Sequence, residues 1–271
     1  MKNSNFFRQA NICLKKNLYF DKKINHKILD TLGFFVIKNA FNLKIVEKYR
    51  LKFLQEISNN KLKKTNNHLV EFKIEKLNFF KKIYKEPKLK QIVKSFYEGN
   101  VGSDFYRIVK KDKNNIKPVF CHQDAGYQLG SFDRYSLFIS LTTNNNLNGG
   151  LIVYPSTHKF GYLGDTGEIS KKITKRFTKI CPHLEPGDIL VMHSSLWHES
   201  DVNFLKSDRI YFEVHIQNSY EPSTKFIICG KKLKLQKNLF DKNKIFSNSR
   251  IQRIVSLKNQ IKQIKKSISS R

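Results

Sequence analysis

The stretch Val119-Phe120-Cys121-His122-Gln123-Asp124 decides how the rest of the chain is read. It opens on β-prone apolar residues, and along a strand side chains two apart share a face. His122 and Asp124 therefore point one way, and Cys121 and Gln123 the other. Around this stretch, from about residue 103 to 217, the sequence breaks into short apolar runs punctuated by Gly, Asn, Pro and Asp. That is the texture of a barrel or sandwich of many short strands. The expected strands are 103–109, 119–124, 134–142, 150–154, 188–193 and 208–217.

Upstream, the texture is different. Residues 1–30 have weak periodicity and read as a helical or irregular lead-in. Gly33-Phe34-Phe35-Val36-Ile37 is a turn residue followed by a buried strand. Asn42 can cap a helix whose apolar positions Ile45, Val46, Tyr49, Phe53, Leu54 and Ile57 recur at three- and four-residue steps. Residues 69–97 repeat that spacing, with Pro87 dividing the run. A helical insert of about 43–100 thus precedes the strand-rich half.

Two ligand-type residues aimed at one point call for a third from elsewhere. His198, in Leu196-Trp197-His198 after the strand Ile189-Leu190-Val191-Met192, is the best placed; His193 competes with it. Two His and one carboxylate on one face of iron(II) form the facial triad of non-haem oxygenases, which leaves three open positions. In that class 2-oxoglutarate takes two of them and dioxygen the third. The distal carboxylate of the co-substrate then suits a guanidinium fork better than an ammonium. Arg209, eleven residues after His198 and opening Ile210-Tyr211-Phe212-Glu213-Val214, is placed for that role. A lone His-x-Asp is a common accident, but the whole set in this order is specific.

These residues resemble the phytanoyl-CoA dioxygenase family, a branch of the iron/2-oxoglutarate oxygenases that includes ectoine hydroxylase. The resemblance covers roughly residues 31–217. It is carried by GFFVIKNAF (Gly33–Phe41), CHQD (Cys121–Asp124), NGGLIVYPSTHKFG (Asn148–Gly161), EPGDILVMHSSLWHES (Glu185–Ser200) and SDRIYFEVH (Ser207–His215). It implies a mainly β fold with flanking helices: a double-stranded β-helix, a cupin-like jelly-roll barrel with helices packed on one sheet. It makes His122, Asp124 and His198 the iron ligands and Arg209 the partner of the co-substrate's distal carboxylate. Ser136 aligns with a hydroxyl residue that assists that carboxylate, and Tyr106 is a further candidate to reach the co-substrate. The reaction implied is hydroxylation of a small molecule coupled to decarboxylation of 2-oxoglutarate to succinate. Because Asp124 occupies the position that is small in halogenating relatives, hydroxylation is expected rather than halogenation. The chain departs from the family pattern at Ser156-Thr157 and at Asp201-Val202-Asn203, both in loops.

Strand parity adds an expectation of its own. Tyr211, Glu213 and His215 share Arg209's face if the strand stays regular, so they point inward as buried polar groups; a bulge before Glu213 would turn them out. Tyr211 and Glu213, with Tyr127, are candidates to meet the substrate. His158 reads as a turn residue, and His26, His68 and His183 as surface positions.

The 271 residues suit one large domain with appendages, and 22 Phe and 11 Tyr supply aromatic volume for its core. A formal net charge of +29 raises the question of nucleic acid, but Lys far outnumbers Arg and the positive residues are scattered rather than striped. A small-molecule substrate is expected, and Lys171, Lys172, Lys175 and Arg176 would suit an anionic one. A nucleic-acid-directed oxygenase or binding module, or a non-catalytic barrel of the same fold, are the alternatives. Cys13, Cys121, Cys181 and Cys229 are far apart and suggest neither a disulfide framework nor structural zinc. No run has the length of a transmembrane segment or a signal sequence, so a cytoplasmic protein is expected. Residues 221–271 form a basic extension with fourteen Lys or Arg against two acids. In it, Ile254, Leu257, Ile261, Ile264 and Ile268 predict an amphipathic helix at about 250–269 that offers a contact surface.

Overall fold

The computed structural model describes residues 5–62, 70–72, 74, 77–127, 133–163, 168–221 and 223–231; the side chains of Val70, Glu71 and Tyr127 are not among what is described. The helix expected at 250–269 lies outside these residues. In chain order the elements are α1 (Asn5–Lys15), β1 (Phe20–Asp21), α2 (His26–Leu32), β2 (Phe34–Ile37), α3 (Leu43–Ser58), β3 (Val70–Phe72), α4 (Asn78–Lys81) and α5 (Pro87–Val93). There follow β4 (Val101–Ser103), β5 (Tyr106–Lys111), β6 (Val119–His122), β7 (Tyr135–Ser140), β8 (Leu151–Val153), α6 (Lys171–Thr174), β9 (Ile189–His193), β10 (His198–Ser200), β11 (Arg209–Asn218) and β12 (Phe226–Ile227).

The strands form two sheets. The larger runs β1-β2-β9-β7-β11-β4-β12, with β5 also pairing β11 and β3 pairing β5; the smaller runs β6-β10-β8. Apart from the parallel β1–β2 pair, every ladder is antiparallel, and the sheets do not close into a continuous barrel. This is the mainly β, jelly-roll architecture with flanking helices.

Alternation on the strands of the large sheet divides the core in two. On one face Leu137, Ile139, Ile189, Val191, Ile210, Phe212, Val214 and Ile216 pack against Val46, Tyr49 and Phe53 of α3 and Leu89, Ile92 and Val93 of α5. On the other, Phe34, Val36, Phe138, Leu190, Met192 and Tyr211 meet Leu151 and Val153 of the small sheet, together with Ala10 and Cys13 of α1. The lead-in helix is thus part of the inner core. Phe212 is fully buried, and truncating such a side chain to Ala costs about 3–5 kcal/mol.

Local sequence accounts for the boundaries that matter. Asn42 caps α3 by accepting from the Lys44 N–H at 2.8 Å. Gly33 ends α2 with φ +79°, its N–H bonded to the Leu29 carbonyl, and a Cβ there would meet His158 Nδ1 at 2.4 Å. Only glycine answers both demands, and β2 starts one residue later. One stretch differs from expectation. Within the run read as helical, Val70–Phe72 is instead a strand paired with β5, because three residues of partner edge outweigh a weak helical period. Pro87 divides the helical run as expected: the 3-10 turn Lys82–Lys85 ends before it and α5 starts at it, where its missing N–H costs nothing. β12 extends the paired structure to Ile227, beyond the boundary near 221.

Candidate metal centre

The small sheet brings His122 and His198 together. They are cross-strand partners on β6 and β10, with ring centroids 4.3 Å apart. Asp124 lies two residues past the end of β6, on a 3-10 turn whose Ala125 N–H bonds the Ser194 carbonyl at 2.9 Å. The turn, rather than continued strand, delivers the carboxylate. Its Oδ1 is 3.8 Å from His122 Nε2 and 3.6 Å from His198 Nε2, and the three ligand atoms lie within 4.8 Å of one another.

Both imidazoles are set in the same tautomer by the backbone. His122 Nδ1 is 2.8 Å from the Phe120 carbonyl and His198 Nδ1 is 3.0 Å from the Leu196 carbonyl, so each Nδ1 donates and each Nε2 turns a lone pair toward Asp124. Burial, with His198 beside it, pushes His122 down to about 4, which keeps it neutral near pH 7. Burial alone would raise the Asp124 carboxyl; His198 and His122 reverse that and hold it below the usual carboxylate range. Two imidazole nitrogens and one carboxylate oxygen on converging vectors are a donor set for a divalent cation. Gln123, facing away, donates to the Gly161 and Ser195 carbonyls and accepts from the Leu163 N–H, tying the motif to the neighbouring loops. His193 is elsewhere: its Nδ1 accepts from the Ser195 N–H and its ring packs on Tyr135 and His158.

A cleft of about 410 Å³, open volume at its mouth included, begins at His122 and His198 and is lined by Val109, Phe138, Leu151, Tyr211 and Arg209. Arg209 is 2% exposed, its guanidinium lies 4.7 Å from the centroid of the Tyr211 ring, and among the described residues its Nε has no hydrogen-bond partner. Lys111, also 2% exposed, is its cross-strand neighbour on β5 and donates to the Asp201 carbonyl. Burial, then Arg209, pushes Lys111 down to about 7. Among the described residues neither cation has a carboxylate at ion-pair distance. Two adjacent buried cations without an acid are costly unless an anion joins them. Lys111 went unread in the sequence, although its alternation with Arg107 and Val109 was there to find.

β11 runs unbroken from Arg209 to Asn218, so Tyr211, Glu213 and His215 all face inward and are buried. Glu213 accepts from Arg107 Nε at 2.5 Å and bonds His215 Nε2 at 2.7 Å. Burial would raise Glu213, but Arg107 and His215 hold it low; burial would lower His215, but Glu213 raises it. The three form an ion-paired row.

Two expected co-substrate contacts are not brought together. Tyr106 falls on the helix-facing side of β5, packed on Tyr84, Phe212 and Phe226, because its parity is opposite to that of Lys111. Ser136 pairs with His215, six residues along β11 from Arg209, a separation of roughly 20 Å at strand rise. It cannot share a carboxylate with Arg209, and its hydroxyl instead donates to Asp124 Oδ2 at 3.1 Å. Tyr127 lies outside the described side chains. His158 holds a turn in place through the Asp30 carbonyl, His183 and His26 are exposed, and His68 is outside the described residues. Lys171, Lys172, Lys175 and Arg176 are exposed.

The two-sheet jelly roll is shared with known structures. The carbocyclase SnoK from nogalamycin biosynthesis superposes with TM-score 0.63 at 12% identity, covering 80% of this chain and 88% of its own. EctD from S. alaskensis, solved with 2-oxoglutarate and 5-hydroxyectoine, gives 0.60 at 16%, covering 70% and 74%. HygX from Streptomyces hygroscopicus, with nickel, 2-oxoglutarate and hygromycin B bound, gives 0.54 at 14%, covering 70% and 85%. At these identities the likeness speaks for the fold. No curated protein sequence matches. The phytanoyl-CoA dioxygenase (PhyH) family model matches residues 29–210, and the chain belongs to that family.

Proposed function

We propose that this protein is an iron(II)- and 2-oxoglutarate-dependent dioxygenase that hydroxylates a small molecule while 2-oxoglutarate is converted to succinate. The observation that carries the reading is one cleft with two complementary ends. At one, His122 Nε2, His198 Nε2 and Asp124 Oδ1 converge; at the other stands Arg209, with Lys111 as its cross-strand neighbour and, among the described residues, no carboxylate at ion-pair distance. The residues fit the groups the family implies. Three hard or borderline donors suit iron(II), and the unpartnered Nε of Arg209 suits a carboxylate. When bound, iron would supply dioxygen activation coupled to decarboxylation of the co-substrate.

The chain's own residues then have distinct tasks. His122, His198 and Asp124 would hold the cation on one face. Arg209, with Lys111 beside it, would take the distal carboxylate and orient the 2-oxo acid end toward the metal. Val109, Phe138 and Leu151 give the cleft apolar walls, and a less polar lining strengthens electrostatic contacts made inside it. Hydroxylation is favoured over halogenation because Asp124 fills the place a halide would need. Since relatives by fold include an epimerase and a carbocyclase, the outcome must be read from the product.

The test is succinate formation from 2-oxoglutarate by purified protein with iron(II) and dioxygen. Turnover is expected to need iron and to vanish in Asp124→Ala. Iron-independent turnover, or full turnover in that variant, would sink the reading.

A further inference from the structure

The two oxygens of the Asp124 carboxylate have different surroundings. Oδ1 faces both imidazoles, whereas Oδ2 accepts the Ser136 hydroxyl at 3.1 Å; Ser136 is 0% exposed and Asp124 5%. The two residues also differ in how firmly the backbone holds them. Ser136 sits within β7 between two ladders, paired with Met192 on β9 and His215 on β11. Asp124 sits on a short turn beyond a strand end. The hydroxyl is therefore the fixed partner, and the carboxylate is the group being oriented.

We propose that Ser136 is a positioning residue of the metal centre: its hydroxyl reserves Oδ2, so that Asp124 offers the ion one oxygen and not two. The inference rests on the metal-centre reading above. Its chemical consequence is a coordination count. With two imidazoles and one oxygen, a six-coordinate ion keeps three positions, two for a chelating 2-oxo acid and one more. An Asp124 free to swing both oxygens onto the ion would consume one of them. The neighbouring cluster does not offer the ion another home. Asp124, Glu213 and His215 also lie within 4.8 Å, but both Glu213 oxygens are engaged, one by Arg107 and one by His215. Asp124 is thus held toward the two imidazoles by Ser136 on one side of that row.

The experiment uses nickel(II), which does not react with dioxygen here, titrated into the full chain and into Ser136→Ala and Ser136→Cys. The cysteine keeps the volume but donates poorly. Three quantities are read: nickel affinity, 2-oxoglutarate affinity of the nickel-loaded protein, and melting temperature of the metal-free protein. Both variants are expected to lose about tenfold or more in nickel affinity, the size usual for a group that orients a ligand. They should also bind 2-oxoglutarate more weakly once loaded, while the metal-free melting temperature stays at the wild-type value. Unchanged nickel and 2-oxoglutarate affinities in both variants would overturn the inference, as would losses that only track a fall in metal-free stability. If the unaltered protein binds no nickel, the metal-centre reading itself fails; if it binds and the variants bind equally, only the role of Ser136 fails.

Discussion

The inner face of β11 carries two charged neighbourhoods that handle charge in opposite ways. At Glu213, a buried carboxylate is matched by Arg107 across the strand and by His215 two residues on. At Arg209, about 13 Å away along the strand, a buried guanidinium has a lysine as its neighbour and, among the described residues, no acid at ion-pair distance. The first neighbourhood is complete in the folded chain. On the proposed reading the second is completed by the co-substrate's carboxylate, so the uncompensated charge, rather than charge as such, is what points to a binding end. The same contrast explains why a net charge of +29 says little by itself: the argument is carried by two buried cations, Arg209 and Lys111.

The contrast can be broken in graded ways. The largest effect is expected at the metal end: His122→Ala or Asp124→Ala should reduce iron-dependent succinate formation to background, and retained turnover would detach the cleft from catalysis. Next, Arg209→Met should weaken 2-oxoglutarate binding roughly 100-fold, the scale of removing a buried charge-assisted contact of about 3 kcal/mol, as read by calorimetry on nickel-loaded protein. The comparison is sharpened by stability. Glu213→Gln strands Arg107 and His215 and should cost about 3 kcal/mol in denaturant unfolding. Arg209→Met removes an unmatched cation and should leave the co-substrate-free protein no less stable. Equal destabilisation by the two would erase the distinction.

The smallest effect is a pH dependence. Lys111 titrates near 7 because burial and then Arg209 disfavour its charge, against the weaker pull of Asp201; Cys181 lies on the same side, near Arg209. The folded chain therefore binds fewer protons than the unfolded one between about pH 7 and the usual lysine range. The penalty of burying the cation is full below 7, and stability of the co-substrate-free protein rises with pH across that window. A bound carboxylate reverses the preference. Affinity for 2-oxoglutarate should be highest below pH 7 and decline above it, by at most tenfold per unit, and Lys111→Met should flatten the profile.

How much of this could be read in advance follows from the range of each signal. The pairing of His122 with Asp124, the inward row Tyr211-Glu213-His215 and the β11 opening at Arg209 depend on neighbours within a few residues, and alternation displays them. Tyr106 and Ser136 were assigned by counting along a family pattern, which identifies a strand but not its face or its rung. Tyr106 turns to the helices, and Ser136 sits level with His215 instead of Arg209, because cross-strand register is set by partners far away in the chain. For Lys111, alternation with Arg107 and Val109 is legible, but its meaning comes from Arg209, 98 residues later, as its partner across β5 and β11. The strand Val70–Phe72 was masked by a helical period that its partner edge overrides.

The most direct test is an anaerobic titration of iron(II) into the metal-free protein, repeated with His198→Ala. The account predicts binding of about one ion per chain in the parent and loss of that binding in the variant, whose imidazole comes from a strand 76 residues after His122. Undiminished binding by His198→Ala, or none by the parent, would contradict it.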